Sequence, residues 1–185
     1  MNNVAKALVF LAILAVIPDV VFAQNENWDG YYHQGDFAFE VGLGFGYHVR
    51  SYSVSVAPAV EWTMADWKIG KTVPLAFGVT AKGFVELVPG SGLAFGSGGF
   101  ATFHMGLKGL DTAEFIQKLD VYAGLGLGLL AIPWESPAFG IAIPLYGGLA
   151  YYFKDDMAAY LEGGGWCAWN VPGYGGVVLG LRWKK

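Results

Sequence analysis

Ionisable side chains are scarce in this sequence, and eleven of them fall at positions that alternate with apolar residues. Charged residues make up 14% of the chain, and the formal net charge is −4. An unpaired buried charge is expensive, so a nearly balanced set of this kind is expected to pair within the fold. We expect one internal polar network, made by Glu40, His48, Arg50, Glu61, Lys82, Glu86, His104, Lys108, Asp120, Glu162 and Arg182.

A nucleophile and a base come close together at one place in the sequence. His48 precedes Ser51 and Ser53 at a predicted hairpin. Serine catalysis needs the base within hydrogen-bond reach and a third group that orients the base. His104 has Thr102 and Gly106 beside it on its own face, and no serine. The sequence therefore predicts no catalytic residues, and we expect the protein not to be an enzyme.

Metal and cofactor motifs are not apparent. His33, His48 and His104 have no spacing that pairs them as metal ligands. Asp155-Asp156 reads as a turn, since it lacks the spaced oxygen ligands of a calcium loop. The glycines at alternate positions, such as Gly124, Gly126 and Gly128, do not match a dinucleotide-binding motif. We expect no metal and no cofactor, and the single cysteine, Cys167, is given no role.

The elements that would position these residues are β-strands. From Phe37 to Val49 every odd position is large and apolar, whereas even positions are small, polar or charged. A strand sends alternate side chains to opposite faces, so this pattern is typical of one. It recurs in eight segments: 37–49, 52–64, 73–87, 100–109, 119–131, 139–153, 157–169 and 174–183. Loops are expected at 88–99 and 132–138, and a polar connector with room for one helical turn at 110–118.

The strand face that carries the smaller side chains decides the class of protein. It is rich in glycine and alanine with roughly one charge per strand, whereas a soluble surface has about 25–35% charged residues. A transmembrane barrel instead places apolar residues outward and small or polar residues inward. The sequence therefore predicts an all-β fold, an eight-stranded antiparallel up-and-down transmembrane β-barrel, over residues 36–185. With 11 Lys+Arg and a net charge of −4, no nucleic-acid partner is expected.

Two other classes stay open. A soluble exported lipid-binding barrel would point the apolar face inward. A helical membrane protein would use the uncharged runs 136–153 and 163–181, but their many glycines and prolines disfavour helices.

The first residues have the pattern of a secretory signal peptide at 1–23. Lys6 provides the positive charge, residues 7–17 are apolar, and Val21-Phe22-Ala23 forms a cleavage site. A short polar N-terminal segment at 24–35 follows, in which His33 is expected to be solvated.

The signal peptide, the eight alternating segments and the last strand ending in Gly180-Leu181-Arg182-Trp183 resemble the small outer-membrane barrels of the OmpA/OmpX/OmpW type. The resemblance is architectural, and Lys184-Lys185 after the final aromatic residue departs from the family pattern. It implies a location in the cell outer membrane, a lipid bilayer and the outer-membrane insertion machinery as partners, and a monomer. The even number of strands predicts that both termini lie in the periplasm.

The function that follows is a non-catalytic outer-membrane barrel with a structural, surface-interaction or narrow small-solute passage role. Eight strands leave an interior that side chains can just fill, so a polar plug or a narrow conduit are both possible. The alternatives are the soluble lipid-binding barrel and, less favoured, an outer-membrane lipid-modifying enzyme. The outward orientation of Leu127 and the inward orientation of Gly126 also predict that Leu127→Arg lowers stability more than Gly126→Ser.

Overall fold

The computed structural model describes residues 30–48, 51–69, 73–108, 110–135 and 137–185. They form a short helix and eight strands. The strands are β1 (Phe37–His48), β2 (Ser51–Ile69), β3 (Val73–Val88), β4 (Gly92–Gly106), β5 (Leu119–Ala131), β6 (Phe139–Lys154), β7 (Met157–Ala168) and β8 (Tyr174–Lys184). The helix α1 (Glu114–Gln117) lies between β4 and β5.

The strands form one closed antiparallel barrel in sequence order. Closure occurs where β1 pairs with β8, from Ala38↔Lys184 to His48↔Tyr174. Two backbone hydrogen bonds extend this pairing. The Phe37 N–H donates to the Lys185 carbonyl at 2.9 Å, and the Lys185 N–H donates to the Phe37 carbonyl at 2.7 Å. The fold class predicted from the sequence, an eight-stranded up-and-down barrel, is confirmed.

The alternation of side chains divides the strands into an apolar exterior and a polar interior. Outward residues such as Leu43, Leu127 and Leu145 are 60%, 67% and 59% exposed. Their inward neighbours include buried carboxylates, threonines and tyrosines. An apolar band this large on the outside must be covered by lipid, because exposed apolar patches on soluble monomers seldom exceed a few hundred Å².

The two ends of the barrel differ in charge. We call the end that carries both described termini the terminal rim, and the opposite end the far rim. Charged residues near the terminal rim include Asp36, Asp66, Lys68, Lys108, Asp111, Glu114, Lys118, Lys154, Asp155, Asp156, Lys184 and Lys185. In the far-rim connections the described residues include one charged side chain, Glu135.

The strand boundaries agree with the alternation except in β2 and β4. β2 continues to Ile69 across an irregularity between Thr63 and Ala65, where its register shifts. β4 begins at Gly92, so the loop predicted at 88–99 is wrong. A tight turn replaces it, with positive φ at Gly90 (80°) and Gly92 (129°). Gly96 lies inside β4 because its missing side chain leaves room for the Phe84 ring.

The helical membrane alternative is not supported where the structure is described. Among those residues, no helix is both long and apolar enough to cross a membrane. The predicted helical turn at 110–118 is present as α1. The predicted signal peptide, residues 1–23, lies outside the described part of the chain.

The exterior assignment predicts that Leu127→Arg lowers the free energy of unfolding by about 2–4 kcal/mol. The reason is that the charge must enter the hydrocarbon layer. Phe115→Arg is the matched control, because Phe115 is 61% exposed but lies on α1, outside the strands. We expect that control to change stability by no more than about 0.5 kcal/mol. Urea unfolding in phospholipid vesicles measures the stability of both variants. Equal losses of stability would contradict the outward orientation of Leu127.

Gly126→Ser is not the mild inward change that the alternation suggests. A Cβ at Gly126 would meet the Gly99 carbonyl oxygen and the Phe100 ring. Since the backbone cannot move aside cheaply, we expect this substitution to be costly as well. It therefore does not serve as the control.

Candidate functional site

The interior of the barrel is divided into two layers along its axis. Near the terminal rim is a charged layer made by Glu40, Glu61, Lys82, His104, Asp120, Glu162 and Arg182, all no more than 8% exposed. Towards the far rim is an aromatic layer made by Phe84, Phe100, Trp166 and Tyr174. Both layers arise from the inward positions of the alternating strands.

Arg182 is central to the charged layer. Its guanidinium donates from Nε and Nη2 to Glu40 Oε1, both at 2.6 Å, and Nη1 lies 3.6 Å from Asp120 Oδ2. The guanidinium also lies over the Tyr122 ring, 4.4 Å from its centroid. Arg182 is 1% exposed, and this planar group suits simultaneous contact with two carboxylates and an aromatic face.

His104 lies between two carboxylates. Its Nδ1 is 2.7 Å from Asp120 Oδ2, and its Nε2 is 2.8 Å from Glu61 Oε1. The imidazole also packs against the rings of Tyr32 and Tyr122, with centroids at 4.1 and 5.5 Å. Two carboxylates and two tyrosine rings therefore fix the position of the imidazole ring.

Lys82 lies on the side of the charged layer that is nearer the far rim. Its Nζ lies 2.6 and 2.5 Å from the two carboxylate oxygens of Glu162, and 3.9 Å from Glu40 Oε2. It also lies 4.3 Å from the centre of the Tyr146 ring. Such pairing offsets the cost of burying the charges.

Inward tyrosines occupy the space that inward glycines leave. Tyr160 lies over Gly42 and Gly180, where an added Cβ would come within 2.5 and 2.6 Å of it. The Tyr146 ring lies in the same way over Gly124. The alternating glycines therefore make room for tyrosine rings, which fill the lumen.

The aromatic layer closes the far half. The Phe84 ring stacks on Tyr174 at 5.0 Å, and both Phe84 and Phe100 meet Trp166 edge-on, at 5.3 and 5.8 Å. A cavity of about 40 Å³ remains between this layer and Lys82. Such a volume holds a few water-sized groups, too few to form a water column through the described part of the lumen.

The far rim is covered by apolar side chains. Leu130, Ile132 and Val171 are at most 7% exposed. Leu130 and Ile132 lie at the end of β5, and Val171 lies in the connection between β7 and β8.

The terminal rim is covered by residues 30–36, which sequence reasoning treated as part of a short polar segment. Tyr31 and Tyr32 are buried there. Tyr31 stacks on Tyr152 at 3.9 Å and donates a hydrogen bond to the Gln117 carbonyl at 3.0 Å. Burial raises the pKa of Tyr31 to about 12, so the hydroxyl keeps its proton as a donor. Lys184 donates to the Tyr31 carbonyl and lies 3.4 Å from Asp36.

Not all residues of the predicted polar network lie in the charged layer. Lys108 was expected to be internal, but this is wrong: it lies beyond the end of β4, where it is exposed and pairs with Asp155 at 3.0 Å. That pair lowers the pKa of Asp155. Glu86 is buried but lies apart, beyond Phe84 on β3. The side chain of His48, and Arg50 as a whole, lie outside the described part.

Sequence reasoning missed the buried tyrosines of residues 30–36. The available signal was the pair Tyr31-Tyr32 in an otherwise polar stretch, directly before β1. His33, expected to be solvated, lies at this rim with its Nδ1 3.9 Å from Asp66, and its side chain is 50% exposed.

The charged side chains of the described lumen pair with one another. Ser53, one of the candidate nucleophiles, donates a hydrogen bond to Glu86 rather than to a histidine. Across the described ranges, no group of three or more His, Cys, Asp or Glu side chains is placed to hold a metal ion. Cys167 faces the exterior.

The pairing predicts that Arg182→Met lowers the free energy of unfolding by about 3–5 kcal/mol, because Glu40 loses its closest buried cation and Asp120 loses one of its two. The double variant with Glu40→Gln should recover part of this loss. Urea unfolding in vesicles provides the measurement.

Lys108→Met is the matched control, because it breaks an exposed ion pair at the terminal rim. We expect a cost below about 1 kcal/mol. An Arg182→Met variant as stable as this control would contradict the role given to the charged layer.

Comparison with known proteins shows similarity in structure alone. No protein-family model matches the sequence, and no curated protein matches it. The chain is similar to the N-terminal β-barrel domain of Pseudomonas aeruginosa OprF, with 16% identity and a TM-score of 0.53. The match covers 82% of this chain and 98% of that one. It is also similar to the outer membrane enzyme PagL, with 11% identity and a TM-score of 0.51, over 77% of this chain and 97% of that one.

Sequence identities this low support a shared fold but no statement about function. The solved structures that share it are small eight-stranded outer-membrane barrels. The resemblance inferred from the alternating strands is therefore confirmed: the chain has the fold of a small outer-membrane β-barrel.

Proposed function

We propose that this protein is an integral outer-membrane barrel with a structural role, neither a channel nor an enzyme. The observation that carries the proposal is the filled lumen. The charged layer, the aromatic layer and the coverings at both rims leave a cavity of about 40 Å³.

The outer-membrane location is supported by the apolar exterior and by the outer-membrane proteins that share the fold. The terminal rim, which bears most of the surface charge, would face the periplasm. The far rim would lie at the outer surface, where aromatic side chains such as Trp169 and Phe139 suit the membrane interface.

A surface-interaction role is less well supported, because two of the four far-rim connections are very short. Two residues join β1 to β2, and three join β3 to β4. Binding surfaces on barrels are usually built on longer outer loops. We therefore favour a role within the membrane itself.

The closed lumen predicts no conductance. The mature chain, refolded in detergent and incorporated into a planar bilayer, should give no current steps above the bare membrane. Heat-dependent gel mobility of the same preparation shows that the barrel is folded. Reproducible current steps that depend on the ion would contradict the proposal and favour small-solute passage.

The absence of catalysis is tested separately, since a barrel enzyme is among the structures with this fold. Incubation of the folded protein with phospholipid or lipopolysaccharide should release no fatty acid. Release that is lost in His48→Ala or Ser51→Ala would show that the less favoured enzymatic alternative is correct.

A further inference from the structure

We propose that the outer wall of the barrel holds one acyl chain of a phospholipid in a groove over β3 and β4, and that this phospholipid belongs to the leaflet at the terminal rim. The inference goes beyond the structural role, but it rests on the proposed orientation in which the terminal rim faces the periplasm. The shape of the groove, its apolar borders and the residues at its terminal-rim end carry it.

The groove is a depression in the lipid-facing surface, with a volume of about 500 Å³. Its floor is made by Ala81 on β3 and by Gly99 and Ala101 on β4. A Cβ added at Gly99 would meet no atom within 4 Å, so no internal contact accounts for a glycine there. Inward glycines such as Gly42 and Gly124, by contrast, make room for tyrosine rings. The floor is therefore open towards the bilayer.

Larger apolar side chains border this floor on both sides. Val60 and Trp62 on β2 line one side and are exposed. On the other side lies Leu127 of β5, the exposed register neighbour of Gly99. The bordering strands β2 and β5 are three strand spacings apart, about 14 Å between backbones. A thin, flexible hydrocarbon chain fits this space along its length, whereas the convex wall of a second barrel would touch only the borders.

The occupant follows from the surface in which the groove lies. The apolar band around the strands contacts the hydrocarbon layer of the membrane, and the groove is continuous with that band. A chain inside the groove contacts the protein on three sides instead of one, so it gains more dispersion contacts than a chain on the convex wall. We therefore expect the phospholipid held here to exchange more slowly than the lipids around it.

The terminal-rim end of the groove suits the headgroup of a phospholipid. The rings of Phe37 and Trp62 stack there, with their centroids 6.3 Å apart, and tryptophan favours the boundary between hydrocarbon and headgroups. Lys185 pairs with Phe37 through two backbone hydrogen bonds, and its side chain is exposed. A lysine ammonium at this point attracts the lipid phosphate. The acyl chain would therefore enter the groove from the terminal rim.

The test is native mass spectrometry of the folded barrel. The mature chain is refolded in a short-chain detergent, incubated with dipalmitoyl phosphatidylethanolamine and released from the micelles in the spectrometer. We expect one phospholipid to remain bound to a monomeric barrel. Heat-dependent gel mobility shows that each preparation is folded.

Variants assign the retained lipid to the groove. Gly99→Leu fills the floor, and its added atoms begin in open space, so we expect the barrel to fold. The retained fraction should fall about tenfold, as when roughly two methylene groups lose their contact with the barrel. Ala101→Leu, on the same floor, should act in the same way.

Gly163→Leu is the matched control. A Cβ at this outward glycine of β7 would also meet no atom within 4 Å, but Gly163 does not line the groove. This variant should retain the lipid as fully as the unchanged protein does.

Four results would overturn the proposal. An unchanged barrel that retains no phospholipid would show that the groove holds no chain. Equal retention in Gly99→Leu, or equal loss in Gly163→Leu, would place the lipid elsewhere. Preferential retention of lipopolysaccharide, when both lipids are offered, would place the site in the other leaflet. A dimer that Gly99→Leu dissociates would mean that a second copy of the chain occupies the groove. Lipid retention is independent of conductance, so the closed lumen stands or falls on its own test.

Discussion

Closure of the backbone ladder between β1 and β8 is the constraint on which the structure depends. Hydrocarbon offers no partner for an exposed N–H or C=O group, so strands can lie in a membrane only if no sheet edge remains. The pairing Ala38↔Lys184 to His48↔Tyr174, extended by Phe37 and Lys185, removes that edge. The apolar exterior follows from the same requirement, since one face of every strand then faces lipid.

The number of strands fixes what the interior can hold. An eight-stranded barrel has a lumen about as wide as the side chains that fill it. Inward glycines such as Gly42 and Gly180 allow Tyr160 to lie across that space. Charged groups can enter only if they pair, as Arg182 does with Glu40 and Lys82 does with Glu162. This geometry supports the structural role that we propose.

The alternation of residues was sufficient to predict the fold but not all the details of the lumen. Phe37 to His48 shows period two so clearly that both its facing and its length could be predicted. The start of β4 could not, because Gly96, Gly98 and Gly99 suggest a loop until Phe84 is seen to pack over Gly96. The position of Lys108 depended on where β4 ends, and the burial of Tyr31 and Tyr32 depended on contacts with distant residues such as Tyr152. Alternation gives the face of a residue, but it does not give its depth in the barrel or its partner.

The central claim, that the alternating apolar face meets lipid around a closed barrel, is tested most directly by spin labels on β5. Single cysteines from Val121 to Ala131, in a Cys167→Ser background, are labelled in the vesicle-bound protein. Collision rates with oxygen and with a water-soluble nickel chelate are then measured. The account predicts high oxygen accessibility at odd positions such as Leu125, Leu127 and Leu129, with low values at even positions such as Tyr122 and Gly124. Access of the nickel chelate to the odd positions, or the loss of period two, would contradict it.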